Sequence, residues 1–229
     1  MSGFSALKRR PAAVAVAVAV LTFALMWVMV FSRVGGWTEW RYTLITLASI
    51  GFVATALVGG AHKNIYGVLM AVGLVGCCLG DLLGPYSFIW GALSFLAAHL
   101  FFITAFLTQG VAWDRFRAAL GPVCVAFAAV TVWLLPHVPR GELWLVLSYM
   151  LVISAMLVLA CGARVGNAYG LLVSGATLFY ISDLFVARWK YAAPGSINAW
   201  FCYPMYYSAC ILLALSVAVL TVTHEARNA

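Results

Sequence analysis

The chain has 229 residues, of which 66% are hydrophobic and 8% charged, with a formal net charge of +7 and a mean hydropathy of +1.05. Soluble domains carry about 25% charged residues, and a domain of this size leaves too much surface wet to hide such a composition, so a water-soluble fold is excluded. Disorder goes with it, and six Cys in so apolar a chain do not make a disulfide scaffold.

Eight stretches are long and apolar enough to span a bilayer: 11–32, 42–60, 65–84, 86–108, 118–135, 142–160, 167–187 and 200–222. Only helices and closed barrels satisfy the backbone in lipid, and unbroken apolar runs without alternation specify helices. The expectation is an all-α polytopic transmembrane helix bundle of about eight spans, with residues 1–229 forming one integral membrane domain. Lys8, Arg9 and Arg10 precede the first span, which is too long for a signal peptide and reads as an anchor. Its Ala-Val run, from Ala12 to Val20, is expected to face lipid. The connection Gly84-Pro85-Tyr86 carries no charge and predicts a tight hairpin between spans three and four.

With the N-terminus inside, Lys8, Arg9, Arg10, Lys63, Arg115, Arg117, Arg164 and Arg227 fall on the cytoplasmic side. Arg33, Arg41, Arg140, Arg188 and Lys190 fall outside, a bias that favours both termini in the cytoplasm. Basic residues so scattered point to the bilayer as partner, and no nucleic acid is expected. A partial repeat enters spans three and seven: Gly60-Ala61-His62-Lys63-Asn64-Ile65-Tyr66-Gly67 and Gly162-Ala163-Arg164-Val165-Gly166-Asn167-Ala168-Tyr169-Gly170, each run closing on an Asp-Leu pair. It suggests a parallel four-plus-four arrangement of halves 1–115 and 116–229.

Of six acids, Glu39, Asp114, Glu142 and Glu225 lie at connections or the tail, where solvation accounts for them. Asp81 and Asp183 lie within apolar runs, near the same end of their helices. An intramembrane carboxylate costs about 2.5–3.5 kcal/mol on insertion scales, so it marks function by default. The competing reading is an interhelical hydrogen bond or an ion pair with Arg188 or Lys190. His99 stands mid-span in helix four. At about 1.5 Å per residue it lies about 20 Å below the Gly84–Pro85 turn, against about 5 Å for Asp81, so the two meet only if that helix starts late or bends.

Asn64 and Asn167 suit helix caps or ligand contacts, and Tyr66 and Tyr169 suit interface anchors or ligand contacts. Tyr149, Ile153 and Met156 share one face of span six. Tyr203, Tyr206 and Tyr207 open span eight, where an aromatic belt competes with a ligand role. Cys77, Cys78, Cys124, Cys161, Cys202 and Cys210 show no metal or redox spacing, and there is no nucleophile elbow or phosphate loop.

Gly80-Asp81-Leu82-Leu83, followed by the run from Gly91 to His99, resembles the YhhN-type lysoplasmalogenase family. Gly175-Ala176-Thr177-Leu178-Phe179-Tyr180-Ile181-Ser182-Asp183 is similar to that family's second signature, and Tyr149, Ile153 and Met156 fit its Tyr-x-x-x-Ile-x-x-Met spacing. Tyr206-Tyr207 also fits, although Cys210 stands where a Gln is expected. The resemblance covers about spans three to eight.

It implies a membrane hydrolase that cleaves the vinyl-ether bond of a lysophospholipid substrate, lysoplasmalogen, to a fatty aldehyde and a glycerophospho-base. Vinyl ethers hydrolyse by proton transfer to carbon, giving an oxocarbenium ion that water captures. No nucleophilic Ser, metal or other cofactor is called for. What is needed is a dry proton donor beside a carboxylate, much as paired carboxyls serve glycosidases. Asp81 and Asp183 are the expected catalytic pair, with neither singled out as the acid. Arg188 and Lys190 are expected to hold the phosphate. His99, Asn64, Tyr66, Tyr149, Asn167, Tyr169, Ser182, Tyr203 and Tyr207 are expected to bind substrate around them. The alternatives are a proton-coupled carrier using the same two carboxylates and, behind it, a metal-dependent hydrolase using Asp81, Asp183 and His99.

Overall fold

Each apolar run forms a helix in the computed structural model, which describes residues 2–34 and 40–227, without the side chains of 2–10, 33–34 and 227. Glu39, most of the first predicted connection, and the side chains of Lys8, Arg9, Arg10, Arg33 and Arg227 therefore lie outside the described residues. The helices are α1 (Ser2–Val34), α2 (Arg41–Val58), α3 (Ile65–Leu83), α4 (Phe88–Thr108), α5 (Trp113–Leu134), α6 (Leu143–Gly162), α7 (Tyr169–Ala187) and α8 (Ile197–Arg227). Each contains a stretch long and apolar enough to cross a membrane. Among the described residues the only β pairing is a single bridge, Val111 with Ala163.

Polar side chains mark where α3 and α4 begin, Asn64 for the first and Ser87 for the second. Asn64 accepts a hydrogen bond from the Gly67 amide at 2.8 Å and so caps α3. The α3–α4 hairpin closes through amides of Tyr86 and Ser87 donating to the Leu83 carbonyl, as its charge-free sequence predicts. Small residues then bring the two helices together. A Cβ on Gly80 would lie 2.6 Å from the Phe95 ring, and one on Gly91 would lie 2.7 Å from the Gly84 Cα. Close backbone approach of this kind drives helix association where burial from water supplies little.

The seventh span runs further than its apolar pattern predicts. After α7 the chain continues through a π-helical turn, Arg188–Ala192. Asp183 is therefore nine residues from the end of its helical run.

α8 is the central helix, packed on α1, α2, α3 and α7. Two thirds of its apolar window is enclosed, against 6% for α5, which lies on the periphery. Short connections make successive helices antiparallel, so the start of α1 and the end of α8 share one face. On that terminal face Lys63 pairs with Glu225 at 2.7 Å. There too the α4–α5 and α6–α7 connections are laced by Ala112 N to Gly162 O (2.7 Å) and Arg164 N to Gly110 O (3.1 Å). The opposite face carries the α3–α4, α5–α6 and α7–α8 connections.

Candidate active site

A cavity of about 540 Å³ opens in the half of the bundle remote from the terminal face. Its lining comes from the first halves of α2, α4, α6 and α8 and the last halves of α3, α5 and α7, with the π-helical turn. That pattern follows from antiparallel packing, since those are the segments that share one side of the membrane. Asp81 and Asp183 both line it.

Asp81 is held on the α2 and α8 side. Its Oδ2 accepts from the Ser49 hydroxyl at 2.6 Å and from the Tyr206 hydroxyl at 2.8 Å. The Tyr207 hydroxyl stands 3.5 Å from the same oxygen and 3.4 Å from Ser49 Oγ. Two donors and a third hydroxyl in reserve solvate one carboxylate oxygen without water.

Asp183 has a sparser shell. The Tyr149 hydroxyl donates to its Oδ2 at 2.7 Å, and Nε2 of His99 lies 3.8 Å from that oxygen. His99 is buried, and its Nδ1 is 2.6 Å from the Phe95 carbonyl. A carbonyl only accepts, so Nδ1 carries the hydrogen, and in the neutral ring Nε2 presents a lone pair. Among the described residues no hydrogen-bond partner reaches Nε2. His99 meets Asp183 because the π-helical extension of α7 sets Asp183 about 13 Å into its run, close to the depth of His99 in α4. The expected separation of His99 from the hairpin end is thus kept, and its partner is the other Asp.

Aromatic rings join the two carboxylate centres. Tyr206 packs against Phe95 (5.6 Å between centroids) and Phe179 (5.4 Å), and Phe179 packs against His99 (4.7 Å). The wall beyond Asp183 is apolar, built by Val130 and Leu134 of α5 with Val146, Met150 and Ile153 of α6.

The remaining sequence-derived site residues divide by position. Tyr149, Lys190 and Tyr203 line the cavity. His99 and Tyr207 stand behind it against the carboxylates, and Ser182 is buried, donating to the Phe179 carbonyl at 2.7 Å. Arg188 is not brought to the cavity: its guanidinium donates to Asn198 Oδ1, and the Asn198 amide donates to the carbonyls of Ala193 and Gly195, so Arg188 pins the α7–α8 turn. Asn64, Tyr66, Asn167 and Tyr169 are not brought there either, because they lie at the first turns of α3 and α7, on the terminal face. Asn64 caps α3, Tyr66 pairs with Ser216 at 2.8 Å, and Asn167 is exposed in a 3-10 turn. Tyr169 donates to the Cys161 carbonyl and carries the Arg115 guanidinium on its ring.

Two cavity residues, Tyr206 and Arg41, and the buried Ser49 behind Asp81 were not among the site residues expected from sequence. Tyr206 is recoverable, since it shares a helix face with Tyr203 and opens the Tyr-Tyr pair. Ser49 is not, because a Ser in an apolar helix ordinarily bonds back to its own backbone. Arg41, which lines the mouth, reads in sequence only as an edge charge. Among the described residues no three His, Cys, Asp or Glu side chains converge to hold a metal ion.

Residues 38–217 match the sequence model of the YhhN family. A lysoplasmalogenase of Mycobacterium bovis is 37% identical over 102 residues, covering 43% of this chain and 38% of that protein. A lysoplasmalogenase of Mycobacterium tuberculosis matches to the same extent. Lysoplasmalogenase TMEM86B of Sus scrofa is 29% identical over 164 residues, covering 70% of this chain and 66% of that protein. The match to the mycobacterial relatives thus spans well under half of their length. No solved structure matches the chain.

Proposed function

This chain belongs to the YhhN family, and from that premise we propose that it hydrolyses the vinyl-ether bond of a lysoplasmalogen, releasing a fatty aldehyde and a glycerophospho-base. The observation that carries the reading is the pair of carboxyls, Asp81 and Asp183, on one membrane-embedded cavity, in shells of opposite character. Related proteins bearing the name lysoplasmalogenase support it.

The shells distinguish the roles. Hydroxyl donors converge on Asp81 Oδ2, a set suited to an ionised carboxylate. Asp183 accepts from Tyr149 and faces a nitrogen lone pair, a set suited to a carboxyl that carries its proton. Asp183 therefore gives its proton to the vinyl carbon distal to the ether oxygen. The resulting oxocarbenium ion lies beside ionised Asp81, which takes a proton from water as the water oxygen adds to the carbon bearing the ether. Asp81 then returns that proton to the glycerol oxygen as the C–O bond breaks, while Asp183 takes the hemiacetal hydroxyl proton. Both carboxyls end as they began, so no external acid or base is consumed. The alkenyl chain lies along the apolar wall of α5 and α6. Over the whole sequence, eight Lys and Arg on the terminal side against five on the other support a reading with both termini in the cytoplasm and the cavity on the other side.

Aldehyde release from a defined lysoplasmalogen by purified protein tests the proposal. Asp81→Asn and Asp183→Asn are each expected to lower kcat about 10²–10⁴-fold, the usual worth of a positioned acid or base. Wild-type release by both variants, folded normally, would sink the carboxyl-pair mechanism.

A further inference from the structure

The cavity mouth carries two cations, Arg41 and Lys190, whose charge no carboxylate answers among the described residues, where Lys63 pairs with Glu225. Arg41 is the first residue of α2 and lines the cavity. Among the described residues its buried Nε makes no hydrogen bond, and its polar contact is Nη2 to the neighbouring Tyr42 hydroxyl at a long 3.5 Å. The guanidinium rests over the Tyr42 ring, 5.0 Å from the centroid. Lys190, in the π-helical turn, also lines the cavity, with Nζ 4.8 Å from the Phe88 centroid. The acid on this rim, Glu142, is engaged by the Tyr191 hydroxyl at 2.7 Å.

A buried guanidinium N–H left without an acceptor costs free energy, and an anion seated against it restores the missing bond. A planar fork beside a point charge is the arrangement that grips a phosphate oxygen pair. Distance agrees. Ser49, which holds Asp81, lies eight residues along α2 from Arg41, about 12 Å of helix axis. An extended Arg side chain and a glycerophosphate unit together fill that interval, so a phosphate at Arg41 sets the sn-1 ether beside the carboxylates. Resting on the hydrolase reading, we propose that Arg41 and Lys190 form a phosphate-ester subsite at the cavity mouth that selects lysophospholipids over uncharged glycerol ethers.

The test is binding, measured on the full-length protein in detergent with two saturated ethers that cannot be cleaved. One is 1-O-hexadecyl-sn-glycero-3-phosphoethanolamine and the other is 1-O-hexadecylglycerol, which lacks the phosphate. Wild type is expected to hold the phospholipid at least tenfold more tightly. Arg41→Gln and Lys190→Gln should each remove most of that preference while leaving the affinity for hexadecylglycerol unchanged, which also certifies their fold. Arg140→Gln, a cation on the same face outside the lining, should alter neither. If Arg41→Gln does not fold, Arg41→Lys keeps the charge without the fork and should show an intermediate loss. Equal affinity of wild type for both ethers, or equal weakening of both by the variants, overturns the subsite. Free sn-glycerol 3-phosphate binding as tightly as the phospholipid would assign the site to a soluble phosphate ester and overturn the headgroup assignment, whereas binding at least tenfold weaker upholds it. These affinities do not depend on turnover, so absence of aldehyde release would fail the hydrolase reading without deciding this one.

Discussion

At the residue scale, the site is two carboxyls made different by their neighbours. Asp81 owes its surroundings to α2 and α8, since Ser49 and Tyr206 donate to one oxygen. A hydrogen bond to a charged group contributes about 1.5–3 kcal/mol. If both hydroxyls hold the carboxylate that takes the water proton, Tyr206→Phe and Ser49→Ala should each lower kcat roughly tenfold or more with KM little changed. Steady-state kinetics on lysoplasmalogen would check this; a rise in KM at constant kcat would mean that the hydroxyl binds substrate instead. Sequence exposes Asp81 and Asp183 because an acid inside an apolar run has no cheap explanation. It hides Ser49, because Thr46 and Thr55 on the same helix do bond back to their own backbone and nothing local marks Ser49 as different. It also groups Arg188 with Lys190, although only Lys190 lines the cavity. Only Trp189 stands between them, and the π-helical turn decides which of them lines the cavity.

At the element scale, hydropathy places all eight helices, because lipid makes the length of an apolar run and the length of a helix nearly the same quantity. The π-helical turn escapes that reasoning, since an extra residue per turn leaves no mark on mean hydropathy, and such turns recur at functional sites. α4 packs on α6 and α8 on α2, contacts that a four-plus-four relation of the halves would make equivalent. The cavity roof depends on the α3–α4 hairpin, where Gly84 and Gly91 touch backbone to backbone. Gly91→Ala forces those backbones apart and is expected to destabilise the protein by about 1–3 kcal/mol, the usual cost of overpacking. Gly121→Ala, on α5, meets nothing within 4 Å and gains helix propensity, so it should be neutral or stabilising by up to about 1 kcal/mol. Thermal denaturation of the two variants in detergent decides the point, and an unshifted Tm for Gly91→Ala would show that the hairpin relaxes at no cost.

At the scale of the whole molecule, every cavity-lining residue lies in one half of the bundle, so the face it opens on fixes which leaflet supplies substrate. Lys63, Arg115, Arg117 and Arg164 lie at the terminal face, and Arg41, Arg140, Arg188 and Lys190 at the other. Those numbers are equal, and the basic start of the chain decides the proposed orientation. Lys63 and Arg140 mark the two faces, each in a short 3-10 turn between spans. In sealed cells, a membrane-impermeant maleimide should label Arg140→Cys above the background of the native cysteines, and should label Lys63→Cys only after lysis. The reverse order would turn the molecule over and make the cytoplasmic leaflet the source of the lipid. The carboxyl pair would be untouched by that result, because its chemistry depends on the shells of Asp81 and Asp183 and not on the side from which the substrate enters.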